Sequence, residues 1–171
     1  MTMSPFRLSL LAMSALATLL FQGCTRFAPF EGYAYDCECG TMTWDGRELG
    51  MRMAEAEPLN ADSTLWRYHV IADLRDAEEL EARAEPRDIV LTVTAAFGGT
   101  LATLAFDEGD AGFTLNEVDS PAGSVNWTMG GANLDLSADG AGHTMVLNSL
   151  VAKRGQQQLE VSGLFTFDLA G

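Results

Sequence analysis

Lysine is all but missing from this chain. Lys153 is the only one, and with the arginines it makes 10 cations against 24 Asp and Glu, a formal net charge of −14 over 171 residues. Nucleic-acid binding rests on Lys and Arg neutralising phosphates, so a surface this acidic argues against such a partner. Solubility or a saline habitat explains the acidity more simply than an acidic binding face does. Histidine is nearly as scarce. His69 and His143 are the only two, too few for a zinc site that wants three or four convergent ligands, and both read as exposed strand residues. No GxSxG elbow, phosphate-binding glycine loop or HExxH pair occurs. A Cys–His nucleophile would have only those two histidines to draw on as base. The sequence therefore reads as a non-enzyme without a cofactor.

Long apolar runs are lacking too. The longest, Leu8 to Phe21, is shorter than the roughly 20 residues a spanning helix needs. With Arg7 before it, the run has the length and flanks of a secretory h-region. It ends in "LFQGC", Leu20 to Cys24, which resembles a bacterial lipobox. The resemblance implies a signal peptide over residues 1–23 and cleavage before Cys24. The Cys24 thiol would then carry a diacylglycerol and its amine an acyl chain. More than one chain makes the anchor effectively permanent, because a single chain binds only marginally. Thr25, rather than Asp, follows the cysteine, which in that family implies sorting to the outer membrane, facing the periplasm. Removing the leader leaves 9 basic and 24 acidic side chains, a surface that anionic headgroups repel. The lipid must therefore hold the protein to its membrane.

Residues 24–32 read as the lipidated cysteine and a short tether, with a reach of about 27 Å for eight extended residues. Residues 33–171 read as a single domain, long enough for one real core. Its dominant period is two. In "LWRYHVIADL" the residues Trp66, Tyr68, Val70, Ala72 and Leu74 share one face, and in "DIVLTVTAAF" Ile89, Leu91, Val93, Ala95 and Phe97 do. "TLATLAF", "FTLNEV", "SVNWTM", "ANLDLS", "HTMVLNSLVAK" and "QLEVSGLFTFDL" continue the pattern between Gly, Asp, Asn and Ser turns. The expectation is a mainly β fold: an antiparallel β-sandwich or partly open barrel of about 8–9 short strands. One short helix is expected near 76–85, with Asp76 and Glu79 as a capping box and Pro86 closing the segment. Strands of about six residues argue against a transmembrane barrel, whose strands need 9–11. "CGTMTWDGREL" and "LEVSGLFTFDL" are similar to the opening and closing strands of small exported β-sandwich lipoprotein domains of Bacteroidota. That likeness would cover Gly40 to Leu169 and implies a fold, with no chemistry attached.

The remaining cysteines, Cys37 and Cys39, lie in "YAYDCECG". On a regular strand the β-carbons of i and i+2 stand some 6–7 Å apart, whereas a disulfide wants about 3.8 Å. A bridge and a flat strand exclude one another. The apolar positions are odd up to Cys39 and even from Met42 to Trp44, a slip of one residue such as a bulge produces. Asp45-Gly46 is a strong hairpin signal that pairs Trp44 with Arg47 and Met42 with Leu49. The slip favours a small disulfide at a kink. Two reduced thiols packed as small hydrophobes stay open. So does a Cu(I) site made by Cys37, Cys39, Met51 and Met53, a soft ligand set. "FDEGDAG" and "DLSADG" read as turns rather than calcium loops. Together these features point to a membrane-anchored envelope lipoprotein acting as a non-catalytic binding or structural module, with an envelope protein or a glycan as partner. The alternative is thiol redox or copper handling in the periplasm. An exposed aromatic cluster around Trp66 or Trp127 would favour recognition of a glycan or protein.

Overall fold

The computed structural model describes residues 37–119, 123–140 and 142–169. The expected leader, Cys24 and the tether lie outside the described residues. Among the described residues nine strands and one helix follow in the order β1 (Gly40–Trp44), β2 (Arg47–Pro58), β3 (Leu65–Asp73), α1 (Ala77–Glu81), β4 (Arg87–Ala96), β5 (Leu101–Phe106), β6 (Phe113–Asp119), β7 (Gly123–Ala138), β8 (Gly142–Arg154) and β9 (Gln157–Asp168). Every ladder is antiparallel. The strand order β6-β4-β3-β2-β1-β9-β8 is closed by β7, which pairs with both β6 and β8, while β5 joins the outer edge of β7. The protein is thus a mainly β, barrel-like antiparallel sheet, as the alternating pattern requires.

The expected pairing of the first hairpin holds: Trp44 faces Arg47 and Met42 faces Leu49. Asp45 and Gly46 both take positive φ, 50° and 78°, the twist a two-residue turn needs to match its strands. The capping box also forms, Asp76 accepting from the Glu79 amide and the Glu79 side chain from the Asp76 amide. "SVNWTM" and "ANLDLS" merge into the single 16-residue β7. Between them Gly131 sits at φ 138°, beside a register shift between Met129 and Gly131. There β7 turns away from β6, and from Ala132 onward it takes β5 as its neighbour.

Strand length is where expectation and structure part. β2, β7, β8 and β9 run to 12, 16, 13 and 12 residues, because bulges let a long strand bend rather than stop. Length therefore does not separate this fold from a membrane barrel, and polarity must. A membrane barrel turns its apolar residues outward and keeps a polar lumen. Here the interior is apolar: Val70, Leu91, Leu134, Met145, Leu150 and Phe165 are all fully buried. The outward positions of β9 carry Glu160, Ser162, Thr166 and Asp168, with Leu164 as the single exposed apolar side chain among them. That is the inverse arrangement.

Candidate functional site

Cys37 and Cys39 are joined by a disulfide, with Cα atoms 5.1 Å apart. The Cys39 amide turns back to the Cys37 carbonyl, the Cys37 amide reaches Met51 O at 3.4 Å, and Cys39 O accepts from the Thr166 amide at 2.9 Å. Gly40 holds the kink at φ 124°, where an added Cβ would lie 1.9 Å from Leu164 O. The slip of the apolar phase has its cause here: Cys39 and Met42, three apart, are both buried. The four sulfurs of the copper reading are not brought together. Both thiols are consumed in the bridge. A bulge between Met51 and Met53 leaves Met51 in the core, while Ala54 and Ala56, rather than Met53, pack onto it further along.

His143 corrects the reading of both histidines as exposed. It is buried on the interior of β8 because its row continues the apolar Met145, Leu147 and Leu150 back to the start of the strand. Its Nδ1 shares a 2.9 Å hydrogen bond with the Tyr68 hydroxyl. The rings of Trp66 and Phe97 meet it at 4.4 and 5.2 Å. Burial lowers the His143 pKa and raises that of Tyr68, so both stay neutral. Trp66 donates its indole N–H to Ser63 O at 2.8 Å. This is a satisfied aromatic plug at the end of the barrel formed by the β2–β3, β4–β5 and β7–β8 connections. His69 lies on the opposite face of β3, 3.1 Å from Thr92 Oγ1, with its pKa lowered by burial.

At the other end, the outer face of β2, β3 and β4 carries a charge network the sequence reading missed. Asp73 and Arg75 are buried at 2 % and 4 % exposure. Arg75 grips the carboxylate with Nε at 3.0 Å and Nη2 at 2.6 Å, and its backbone amide adds a third bond of 3.0 Å. Arg52 bridges Asp73 at 2.7 Å and Asp88 at 2.8 Å. Burial pushes the Asp73 carboxyl up, but the hydrogen bonds from Arg75 and the Arg52 charge hold it below the usual range. For Asp88, burial and the neighbouring Asp73 charge win over Arg52, and its pKa is raised.

Inside the same end, the inward rows of β1, β2, β4, β6 and β8 carry a polar or aromatic side chain just beyond their last buried apolar residue. Trp44 lies two residues beyond buried Met42, Arg47 two before Leu49, Arg87 two before Ile89, Glu117 two beyond Leu115 and Arg154 two beyond Ala152. Trp127 completes the ring, itself 6 % exposed. Its indole meets Trp44 edge-on at 5.3 Å, and the Arg154 guanidinium lies 4.6 Å over it. Arg154 also pairs with Glu117 at 3.0 Å. Arg47 and Arg87 both donate to Leu74 O, and Arg87 pairs with Glu79 at 3.3 Å. Two buried donors in this mouth, Trp127 Nε1 and Arg87 Nε, have no hydrogen-bond partner. Such mouths are common ligand positions in β-barrels.

Trp66 and Trp127 are buried, so neither forms the exposed aromatic cluster that would have favoured a glycan or protein face. The acidic turns act as turns: Asp110 Oδ1 accepts from the Gly112 amide at 2.8 Å and Asp139 Oδ1 from the Gly142 amide at 3.1 Å. Two residues of the mouth are legible in the sequence, since the hairpin register puts Arg47 beside Trp44. The rest needs the closure of the sheet, which brings β4, β6, β7 and β8 to the same rim. Comparison with protein-family models, with curated proteins and with solved structures finds no match for this chain.

Proposed function

We propose that the chain is an exported lipoprotein. Cys24 anchors it to the outer membrane facing the periplasm, and the barrel-like domain serves there as a non-catalytic binding or structural module. The observation that carries the reading is the Cys37–Cys39 disulfide standing just downstream of the lipobox. Disulfides persist in oxidising compartments such as the periplasm and are rare in the cytosol, so signal and bridge agree on export. The partner class is an envelope protein or a glycan, met close to the membrane because the tether is short.

The test is to express the full chain in a bacterium that processes lipoproteins, fractionate the cells and take the mass of the N-terminal peptide. A membrane-bound product starting at Cys24 with the added mass of a diacylglyceryl group is expected, and Cys24→Ala should leave an unlipidated precursor. A wild-type product in the soluble fraction, or one cleaved elsewhere, would overturn the reading.

Thiol redox remains the second reading, and the bridge itself favours it. A ring enclosing a single residue, the exposed Glu38, removes little freedom from the unfolded chain, which leaves room for a role beyond stapling. Its reduction potential decides: a value below about −300 mV marks a structural bridge and a higher one a working couple.

A further inference from the structure

We infer that the barrel mouth framed by Trp44, Arg47, Arg87, Trp127 and Arg154 binds the carboxylate of a small organic acid. This rests on the binding-module reading and supplies its ligand class. Cations are scarce in this chain, 10 against 24 acids, yet three arginines end inward rows at one rim. Arg154 is matched by Glu117. Arg47 and Arg87 are not matched one for one among the described residues: both converge on the carbonyl oxygen of Leu74, and the ion pair there is that of Arg87 with Glu79 at 3.3 Å. Two like charges on one oxygen with a single carboxylate leave a local positive excess, and a second carboxylate would balance it. The fork of a guanidinium fits a carboxylate with two parallel bonds.

The donors carry the case further. Buried N–H groups in folded proteins nearly always find an acceptor, and leaving one unmet costs free energy. Trp127 Nε1 and Arg87 Nε are both buried and unmet, and both belong to this rim. An acceptor-only group arriving from outside supplies what they lack. Below the rim, Met42, Leu49, Ile89 and Leu115 are fully or nearly fully buried, so the site is shallow and takes a single acidic group rather than a swallowed ligand. Trp127 has one face under Arg154 and an edge against Trp44, which leaves it to act through its N–H more than as a stacking platform.

The three tryptophans give the test its own control. Indole 15N–1H resonances of the full chain in detergent are followed while benzoate, and separately galacturonate, is added at constant ionic strength, with chloride as the reference salt. A saturable shift of the Trp127 resonance with either acid is expected, without a shift of Trp66, whose N–H is held by Ser63 at the far end. Saturation by benzoate alone assigns an acid with an apolar body, by galacturonate alone an acidic sugar. Arg47→Gln and Arg87→Gln should each weaken the apparent affinity at least tenfold while the Trp66 resonance stays in place. Arg67→Gln, on a strand end far from the rim, should change nothing. No saturable shift with either acid, an equal shift with chloride, or full retention in both rim variants would overturn the site. Lipid attachment at Cys24 is read by mass and stands or falls separately.

Discussion

Replacing Asp73 by Ala tests the buried charge network directly. The Asp73 side chain is 3 % exposed and that of Arg75 1 %, and three bonds of 3.0 Å or shorter join them. Deleting the carboxylate takes these bonds and the 2.7 Å contact to Arg52 away together, and strips the buried Arg75 guanidinium of its bidentate carboxylate. Breaking a buried pair from one side costs about 3–5 kcal/mol. For a domain of this size that lowers Tm by roughly 10–20 °C. The comparison is Glu57→Ala, which breaks the exposed Arg67–Glu57 bridge with side chains 47 % and 57 % exposed and should cost under about 1 kcal/mol. Urea unfolding of both variants, with equal m-values, measures the difference. The double replacement Asp73→Leu with Arg75→Met removes both charges and should recover to within about 1–2 kcal/mol of wild type, since Arg52 keeps Asp88 at 2.8 Å. A loss below about 1 kcal/mol in Asp73→Ala would refute the reasoning, because it would mean the guanidinium is solvated or paired elsewhere. The pH dependence has a definite sign. The folded Asp73 pKa lies below its unfolded value, so its stabilisation is complete above about 3.9 and is lost as pH falls through the folded value. Asp88 runs the other way: its raised pKa means folding disfavours the ionised form, a cost that disappears in acid. In Asp73→Ala the like charge is gone, and the Asp88 pKa should move down.

Four further outcomes follow from the geometry. Gly40→Ala forces a side chain into φ 124° and against Leu164 O, so it should destabilise by at least about 2–3 kcal/mol and shift the β1 and β9 amide resonances first. Tyr68→Phe leaves His143 Nδ1 without its partner, at a cost of about 1–3 kcal/mol. In the wild type, the lowered His143 pKa makes stability fall as pH drops below about 6.5; His143→Leu should flatten that slope, leaving the part due to His69, whose pKa is lowered as well. Cys37→Ser with Cys39→Ser opens a ring of about three residues and should cost only roughly 1–2 kcal/mol, readable as a midpoint shift in urea. A loss above about 4 kcal/mol would show that the bridge holds the β1 kink itself.

What the sequence disclosed and what it withheld divide along the range of the interactions. Alternation set the inward rows of β3 and β4, and the Asp-Gly turn set the first hairpin, because both act within a few residues. The same local pattern said nothing of which residues end a row at a barrel rim. Arg87 and Arg154 are polar residues at strand ends, where a reader expects solvent, and only the pairing of β7 with both β6 and β8 turns those ends into one ring. Asp73 misled for a related reason. Period two places it on the outer face, where solvent is the ordinary expectation, but the bulge at Arg52 and the short segment after β3 bring the Arg52 and Arg75 guanidiniums onto it. His143 differs in its cause: its residue type suggests an exposed strand position, yet its parity with Met145 and Leu147 already puts it inside. Parity was the better guide than residue type. Applied to the other polar residues of inward parity toward this end, it picks out Arg47, Arg87, Glu117, Arg154 and Gln157, which the closure of the sheet gathers at the mouth.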